Sequence, residues 1–226
     1  MNRFSKQELA ILKKAKQFTK SKFENHVSKV GGHGLDHAMR VTGVAAYLSS
    51  KESKNPFLPV LAAILHDVGR ASDDPRSQNF LHGKLSRELT EHFLSTLKLI
   101  KEDKILVENA IEDHPFLNEK VRESYVVKIL MDADRIDSLG AMSPIKAASY
   151  KWNLPLYTGE SSSVEDGEID SVYGYFGVRI LEWGNMMWTK TGKKMAAKRL
   201  KFLKKFNEEF VSEITFMNKC FNELNL

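Results

Sequence analysis

The chain has 226 residues, of which 42% are hydrophobic and 28% are charged, values typical of a globular protein with its own core. Its single cysteine, Cys220, excludes an internal disulfide framework, and its longest apolar stretch is far too short to span a membrane. The N-terminus lacks the apolar segment of a secretory signal, so we expect a cytoplasmic protein without a membrane partner.

Apolar residues recur with helical spacing along most of the chain. The first predicted helices, in chain order, cover residues 5–27, 34–50, 57–68, 84–100, 102–113 and 121–134. The third is nearly continuous in apolar residues, which predicts a central and buried position. No alternating strand pattern competes with the helical one. Because helices average about 11 residues, we expect one all-α domain over residues 1–226, a bundle of roughly eight or nine helices.

The C-terminal part of the chain is less regular. Residues 156–170 are polar and rich in serine and glycine, which indicates a loop or lid within the domain. Helix is predicted to resume near Val172 and to continue to Trp188. A long last helix is predicted from about Lys193, with an apolar stripe on one side and lysines on the other.

Lysine and arginine are concentrated at both ends of the chain and flank an acidic centre. Solvated helix faces are the simpler interpretation, and a basic surface that attracts phosphate-rich ligands is the alternative. The basic run from Lys193 to Lys205 would also suit nucleic acid. No aromatic platform accompanies that run, so nucleic-acid binding is not expected.

Histidines and aspartates stand at the ends of apolar segments, where a core usually excludes them. The residues concerned are His33 and His37 in "HGLDHAMRV", His66 and Asp67 in "LHDVGR", and Asp134 and Asp137 in "DADRID". Each pair alone has a simple explanation, such as a surface histidine, a cation at a helix end or an exposed acidic turn. Together, imidazole and carboxylate groups are the ligand set of a hydrolytic divalent metal ion.

The spacing of His33 and His37 also invites comparison with the zinc-protease motif H-E-x-x-H. In that motif a glutamate follows the first histidine and acts as the general base. Gly34 occupies this position here, so the sequence does not support a metalloprotease.

The order His37, His66-Asp67, Asp134 resembles the H…HD…D signature of the HD superfamily of metal-dependent phosphohydrolases. The flanking segments "AAILHDVGR", "DADRIDSLGA", "NFLHGKLS" and "IEDHPF" are similar as well. The likeness runs roughly from Lys20 to Ile214, and it is closest to the small bacterial single-domain members, some of which hydrolyse nucleoside triphosphates.

The resemblance implies one divalent metal ion, with Mn²⁺, Mg²⁺, Zn²⁺, Ni²⁺ and Fe²⁺ all compatible with the mixed ligand set. The implied ligands are His37, His66, Asp67 and Asp134, and Asp67 would also orient the attacking water. Arg70, three residues further on, is a candidate to bind phosphate oxygens. A surface salt bridge from Arg70 to Asp73 or Asp74 is the alternative.

His82 and His114 are expected to line the pocket of a one-metal site and to contact phosphate oxygens or the leaving group. A second metal ion, as in the HD-GYP phosphodiesterases, and a plain surface position are the two alternatives. The remaining candidate substrate-binding residues are His33, Lys84, Arg87 and Asp137. For Lys84 and Arg87 a solvated position is equally compatible with the sequence.

Two functions from different classes follow. The first is a metal-dependent phosphohydrolase that cleaves a nucleotide, either a triphosphate or a phosphoester, with a metal-activated water. The second is a catalytically silent protein that keeps the fold and the metal for ligand sensing or as a scaffold. The intact four-ligand set favours the enzyme. A homodimer is compatible with the sequence, and the sequence does not identify the nucleotide.

Overall fold

The computed structural model describes residues 4–25, 32–78, 80–115, 123–158, 170–176 and 184–224. Over those ranges the chain is all-α, with no β-strand, which confirms the predicted fold class. The α-helices are α1 (Lys6–Asn25), α2 (Leu35–Lys51), α3 (Phe57–Leu65), α4 (His82–Ser95), α5 (Lys101–Asp113), α6 (Tyr125–Asp137), α7 (Met142–Tyr150), α8 (Val172–Gly174) and α9 (Lys190–Asn222). Two 3₁₀-helices, Val68–Ala71 and Pro75–Gln78, connect α3 to α4.

Helix α3 is the centre of the bundle, as its apolar run predicts. All nine of its residues are buried, and α1, α2, α5 and α6 pack around it. Leu61 and Leu65 are completely buried, and each contributes about 1.5–3 kcal/mol of hydrophobic stabilisation. The helix ends at Leu65, earlier than the predicted 68, and Asp67 leaves helical geometry with φ −108° and ψ 13°.

Two predictions about the helices need correction. On a helix, the i, i+4 spacing would put His33 and His37 on one face, but Gly34 is extended and α2 begins at Leu35, so His33 lies before the helix. Helix α7 is not predicted at all. Only one of its three buried residues, Ala147, is apolar, so it carries little periodic signal.

The end of the chain also differs from the prediction. Residues 184–188 are not helical, while residues 177–183 and most of the predicted polar loop lie outside the described ranges. Helix α9 begins at Lys190, and Thr189 caps it by accepting a hydrogen bond from the Gly192 amide. No helix in the described ranges is long and apolar enough to cross a membrane.

Asp132 attaches the start of α9 to α6. Its carboxylate is buried and accepts hydrogen bonds from the Trp188 amide, 2.8 Å, and from the amide and hydroxyl of Thr189, 2.8 and 2.7 Å. A Cβ at Gly192 would lie 2.3 Å from the Asp132 Oδ2 atom, so only glycine fits there. Asp132 therefore serves the fold and points away from the other two aspartates of its segment.

Candidate metal centre

Histidines and aspartates from five parts of the chain meet where α2, α4 and α6 converge on the ends of α3 and α5. We call the following set the cluster: His33, His37, His66, Asp67, His82, His114 and Asp134. Three overlapping groups of three have their ligand atoms within 4.8 Å of one another. The four residues that the resemblance implies as metal ligands all belong to this cluster.

Asp67 lies at the centre of the cluster and is almost fully buried. Its Oδ2 atom is 3.5 Å from the Nε2 atom of His37 and 3.6 Å from that of His66. Its Oδ1 atom is 3.2 Å from the Nε2 atom of His82 and 3.5 Å from that of His114. Oδ1 makes no hydrogen bond of good geometry. A buried carboxylate with an unused oxygen among imidazoles is the arrangement that a bound cation would satisfy.

His66 and His114 owe their orientation to the ends of their helices. Each is the residue directly after its helix, where backbone carbonyls lack a helical partner. The Nδ1 atom of His66 lies 2.8 Å from the Ala63 carbonyl, and that of His114 lies 2.7 Å from the Ile111 carbonyl. Because Nδ1 donates to these carbonyls, the Nε2 lone pairs are directed into the cluster.

His37 is oriented by a carboxylate. Its Nδ1 atom lies 2.7 Å from the Oδ2 atom of Asp137. Its Nε2 atom lies 3.2 Å from the Oδ1 atom of Asp134. A carboxylate behind an imidazole is the usual support of a metal-binding histidine, since it fixes the tautomer and raises the basicity of the other nitrogen.

Three imidazoles of the cluster have pKa values well below the usual value of a histidine. Burial lowers the pKa of His66 to about 4, and burial together with the charge of Arg70 lowers the pKa of His82 to about 4 and that of His33 to about 3. For His37, burial and Lys146 act in the same direction, but the hydrogen bonds to Asp134 and Asp137 outweigh them and raise its pKa.

The two central carboxylates are ionised. Burial alone would raise the pKa of Asp67, but its interactions with the surrounding histidines, chiefly His66, hold it well below its usual range. The pKa of Asp134 is lowered as well, because the hydrogen bond and charge of His37 outweigh the effect of burial. Neutral imidazoles beside ionised carboxylates are the protonation states that a divalent ion requires of its ligands.

Asp137 supports the cluster from behind. Besides His37, it pairs with Arg40, whose Nε atom lies 2.7 Å from Oδ1, and with Lys146, whose Nζ atom lies 3.0 Å from Oδ2. These contacts occupy both carboxylate oxygens, and the side chain is buried. Asp137 therefore positions His37, which differs from the substrate contact expected from the sequence.

Arg70 lies beside Asp67, with its Nε atom 3.7 Å from Oδ1. Its guanidinium donates to the Ser77 carbonyl at 3.0 Å, and its buried Nε atom has no hydrogen-bond partner. The alternative salt bridge to Asp74 is not formed, because Asp74 pairs with Arg76 at 2.8 Å. The geometry is compatible with the phosphate contact expected for Arg70.

The other candidate residues divide into two groups. His82 and His114 are buried, with their Nε2 atoms 3.0 Å apart, so neither is a surface histidine. Lys84 is exposed on α4, and Arg87 pairs with Glu112 at 2.6 Å. The structure thus does not bring Lys84 or Arg87 to the cluster.

The sequence does not single out Arg40 or Lys146, although both support the cluster through Asp137. Arg40 stands one turn after the exposed Asp36, which predicts a surface pair on α2. Lys146 is on the unpredicted helix α7, and its spacing from the motifs carries no signal. The burial of Lys146 is unusual for a lysine but is visible only in three dimensions.

Comparison with known proteins supports these observations. Residues 34–139 match the family model of the HD domain. The YpgQ protein of Bacillus subtilis (strain 168) is 25% identical over 194 residues, which cover 81% of this chain and 85% of YpgQ. The matched family segment includes every member of the cluster except His33.

Solved structures with the same fold cover nearly the whole chain. The crystal structure of YpgQ in complex with ADP has a TM-score of 0.69 at 25% identity, over 90% of this chain and 97% of that one. An HD-superfamily hydrolase from Bacillus thuringiensis has a TM-score of 0.66 at 25% identity. The match covers 92% of this chain and 98% of that one. A protein from Lactobacillus plantarum has a TM-score of 0.72 at 22% identity, over 93% and 98%, which is a likeness of fold.

Proposed function

We propose that the chain is a metal-dependent phosphohydrolase whose substrate is a nucleotide, because residues 34–139 match the family model of the HD domain. The observation that carries the proposal is the environment of Asp67. Its buried carboxylate stands between two sets of inward-directed imidazoles and keeps one oxygen without a hydrogen bond. A buried carboxylate oxygen without a hydrogen bond reduces the stability of a fold, unless a bound cation interacts with it.

The residues of the cluster fit a divalent ion. We assign His37, His66, Asp67 and Asp134 as its ligands, since their donor atoms lie close together and both carboxylates are ionised. Imidazole and carboxylate donors suit Mn²⁺, Mg²⁺, Zn²⁺, Ni²⁺ and Fe²⁺. When bound, such an ion would polarise a phosphoryl oxygen and lower the pKa of a water molecule.

The surrounding side chains supply contacts to the phosphate. Arg70 directs a buried nitrogen without a hydrogen-bond partner toward the side of Asp67, where it can bind a phosphate oxygen. His82 and His114 flank the Oδ1 atom of Asp67, and we assign them to phosphate oxygens or the leaving group. Asp137 holds His37 in place during turnover.

The choice of a nucleotide as substrate has support from a relative. YpgQ, 25% identical to this chain, was crystallised in complex with ADP. The alternative is a silent ligand-sensing protein that binds metal and nucleotide without cleavage. A measured turnover distinguishes the two, because both predict binding and only the enzyme predicts product.

The proposal is tested by a release assay on metal-stripped protein. Each of the five metals is added in turn, and phosphate and pyrophosphate are measured separately with a panel of nucleotides and generic phosphoesters. Asp67→Ala should lower turnover by orders of magnitude while the helical CD spectrum is unchanged. Glu91→Ala, which removes an exposed carboxylate of α4, is the control and should retain full activity. Equal turnover in wild type and Asp67→Ala would assign the reaction to a contaminant.

A further inference from the structure

The cluster is not equally buried on all sides. The side chains of His37 and His66 are fully buried and that of Asp67 is 2% exposed, whereas those of His33 and Asp134 are 16% and 25% exposed. Among the described residues, the cluster therefore meets solvent on the side of His33 and Asp134. We call this side the mouth.

Two tyrosines and a lysine lie next to the mouth. The ring of Tyr150 is 5.3 Å from that of His33, edge to face, and 5.4 Å from the ring of Tyr175. The Nζ atom of Lys151 lies 4.8 Å from the ring centre of Tyr150 and 5.5 Å from that of Tyr175. We call Tyr150, Lys151 and Tyr175 the rim cluster. It comes from the end of α7 and the residue after α8, outside the segment that matches the HD domain model.

The chemistry of the rim cluster suits one class of ligand. Aromatic faces stack on nucleobases of any kind, because every base has a π-face. An ammonium group is a strong point charge for phosphate oxygens. A ligand that offers both a flat aromatic ring and a phosphate chain is a nucleotide. A base-free phosphate ester would use only the lysine.

We propose that the rim cluster selects nucleotides over base-free phosphates, with the base on Tyr150 and Tyr175 and a phosphate on Lys151. This inference rests on the proposed function. In the free protein the Lys151 ammonium covers the tyrosine rings. A phosphate anion is a stronger partner for the Lys151 ammonium than a ring, so a bound phosphate would draw the ammonium toward itself and away from the rings.

A purely structural role for the same residues makes a different prediction. If the rim cluster only joined α7 to α8, its loss would disturb the position of His33 and would affect every substrate alike. A role in base recognition affects only substrates that carry a base. The comparison of a nucleoside triphosphate with inorganic tripolyphosphate separates the two, since both contain phosphoanhydride bonds.

The experiment measures KM and kcat for ATP and for tripolyphosphate in four variants. Tyr150→Ala should raise KM for ATP about tenfold, as expected for the loss of a stacked base, and change kcat/KM for tripolyphosphate less than about twofold. Tyr150→Phe keeps the ring and should behave as wild type. Lys151→Met should raise KM for both substrates. Tyr47→Ala is the matched control, because Tyr47 forms a similar pair with Lys51 at 5.6 Å on α2.

An equal loss on both substrates in Tyr150→Ala, or no loss on either, would overturn the inference. If the wild type cleaves neither substrate, the proposed function fails and the inference is judged by binding instead. Equilibrium dialysis of radiolabelled ATP with Mn²⁺, in competition with tripolyphosphate, should then show the same tenfold loss for ATP in Tyr150→Ala. Unchanged ATP binding, or no binding in wild type, would contradict it.

Discussion

At the scale of single residues, the cluster depends on how each imidazole is fixed from behind. His66 and His114 are fixed by backbone carbonyls at the ends of their helices, and His37 is fixed by Asp137. Backbone carbonyls are supplied by any sequence that ends the helix at that point. The carboxylate is a side chain that a single substitution can remove, which makes Asp137 the residue whose supporting role is most open to experiment.

Asp137→Asn should weaken metal binding by about 10- to 100-fold. The amide keeps the shape of the carboxylate but removes the charge that polarises His37 and balances Arg40 and Lys146. The dissociation constant is measured by competition with a chelator of known affinity. Asp36→Asn is the matched control, because Asp36 pairs with Arg40 on the exposed side of α2. An unchanged constant in Asp137→Asn would show that Asp137 does not tune the site.

Asp132→Ala should reduce the free energy of unfolding by about 3 kcal/mol, because three donors at Trp188 and Thr189 lose a buried carboxylate acceptor. The measurement is urea denaturation followed by CD. Glu91→Ala removes an exposed carboxylate of α4 and should change the unfolding free energy by less than about 0.5 kcal/mol. If the free energy of unfolding changes as little in Asp132→Ala as in this control, Asp132 does not attach α9 to α6.

At the scale of helices, the position of His82 beside His114 requires α4 and α5 to approach closely. Gly83 permits this approach, since a Cβ there would lie 2.6 Å from the Glu112 carbonyl oxygen and 2.7 Å from the Pro115 ring. Backbone and a proline ring cannot move aside as a flexible side chain can. The small size of residue 83 therefore sets the distance between the two histidines.

Gly83→Ala should destabilise the protein by about 1–3 kcal/mol, as overpacking of a close contact does. Gly43→Ala is a matched control in α2, where a Cβ would meet nothing within 4 Å. Since alanine has the higher helix propensity, this control should stabilise the protein by about 0.5–1 kcal/mol. Thermal unfolding of both variants gives the comparison. If the Tm of Gly83→Ala and that of Gly43→Ala shift equally and in the same direction, the α4–α5 contact does not depend on Gly83.

The sequence predicts those helices whose apolar pattern is long or continuous. The buried run of α3 is continuous and the apolar stripe of α9 is long, whereas only one of the three buried residues of α7, Ala147, is apolar. The sequence therefore does not predict α7 or the positions of its Lys146 and Tyr150. The motifs predicted the set of imidazoles and carboxylates that meet, because their order along the chain resembles a known signature.

Pairings between distant side chains are not encoded in local spacing. The sequence leaves Arg87 as a candidate for phosphate or as a solvated side chain, and the structure pairs it with Glu112 from the next helix. The sequence offers Asp137 as a candidate for substrate, and the structure places it against His37. Only the packing of α2 and α5 against their neighbours determines these partners, and that packing follows from the whole fold.

At the scale of the whole molecule, the cluster exists only when the bundle is folded. Its members come from residues 33 to 134, on helices that are joined through the central α3. The unfolded chain has no such arrangement, so the free energy of metal binding stabilises the folded state directly. Folding and metal occupancy are therefore linked in this protein.

Metal at 100 times its dissociation constant should add about 2.7 kcal/mol to the stability of the wild type. For a chain of this size, that corresponds to a rise in Tm of about 5–10 °C. Calorimetry with and without metal measures the shift, and excess chelator should reverse it. In Asp67→Ala the shift should disappear, and a full shift in that variant would place the metal elsewhere.

The most direct test of the central claim is the metal content of the folded chain. Protein loaded with metal and freed of excess by gel filtration is analysed by plasma emission, for wild type, Asp67→Ala, His82→Ala and His114→Ala. We expect one ion per chain in the wild type and in both histidine variants, and none in Asp67→Ala. A wild type without metal would contradict the metal centre. Two ions in the wild type, with one lost in each histidine variant, would make His82 and His114 ligands and overturn the one-metal assignment.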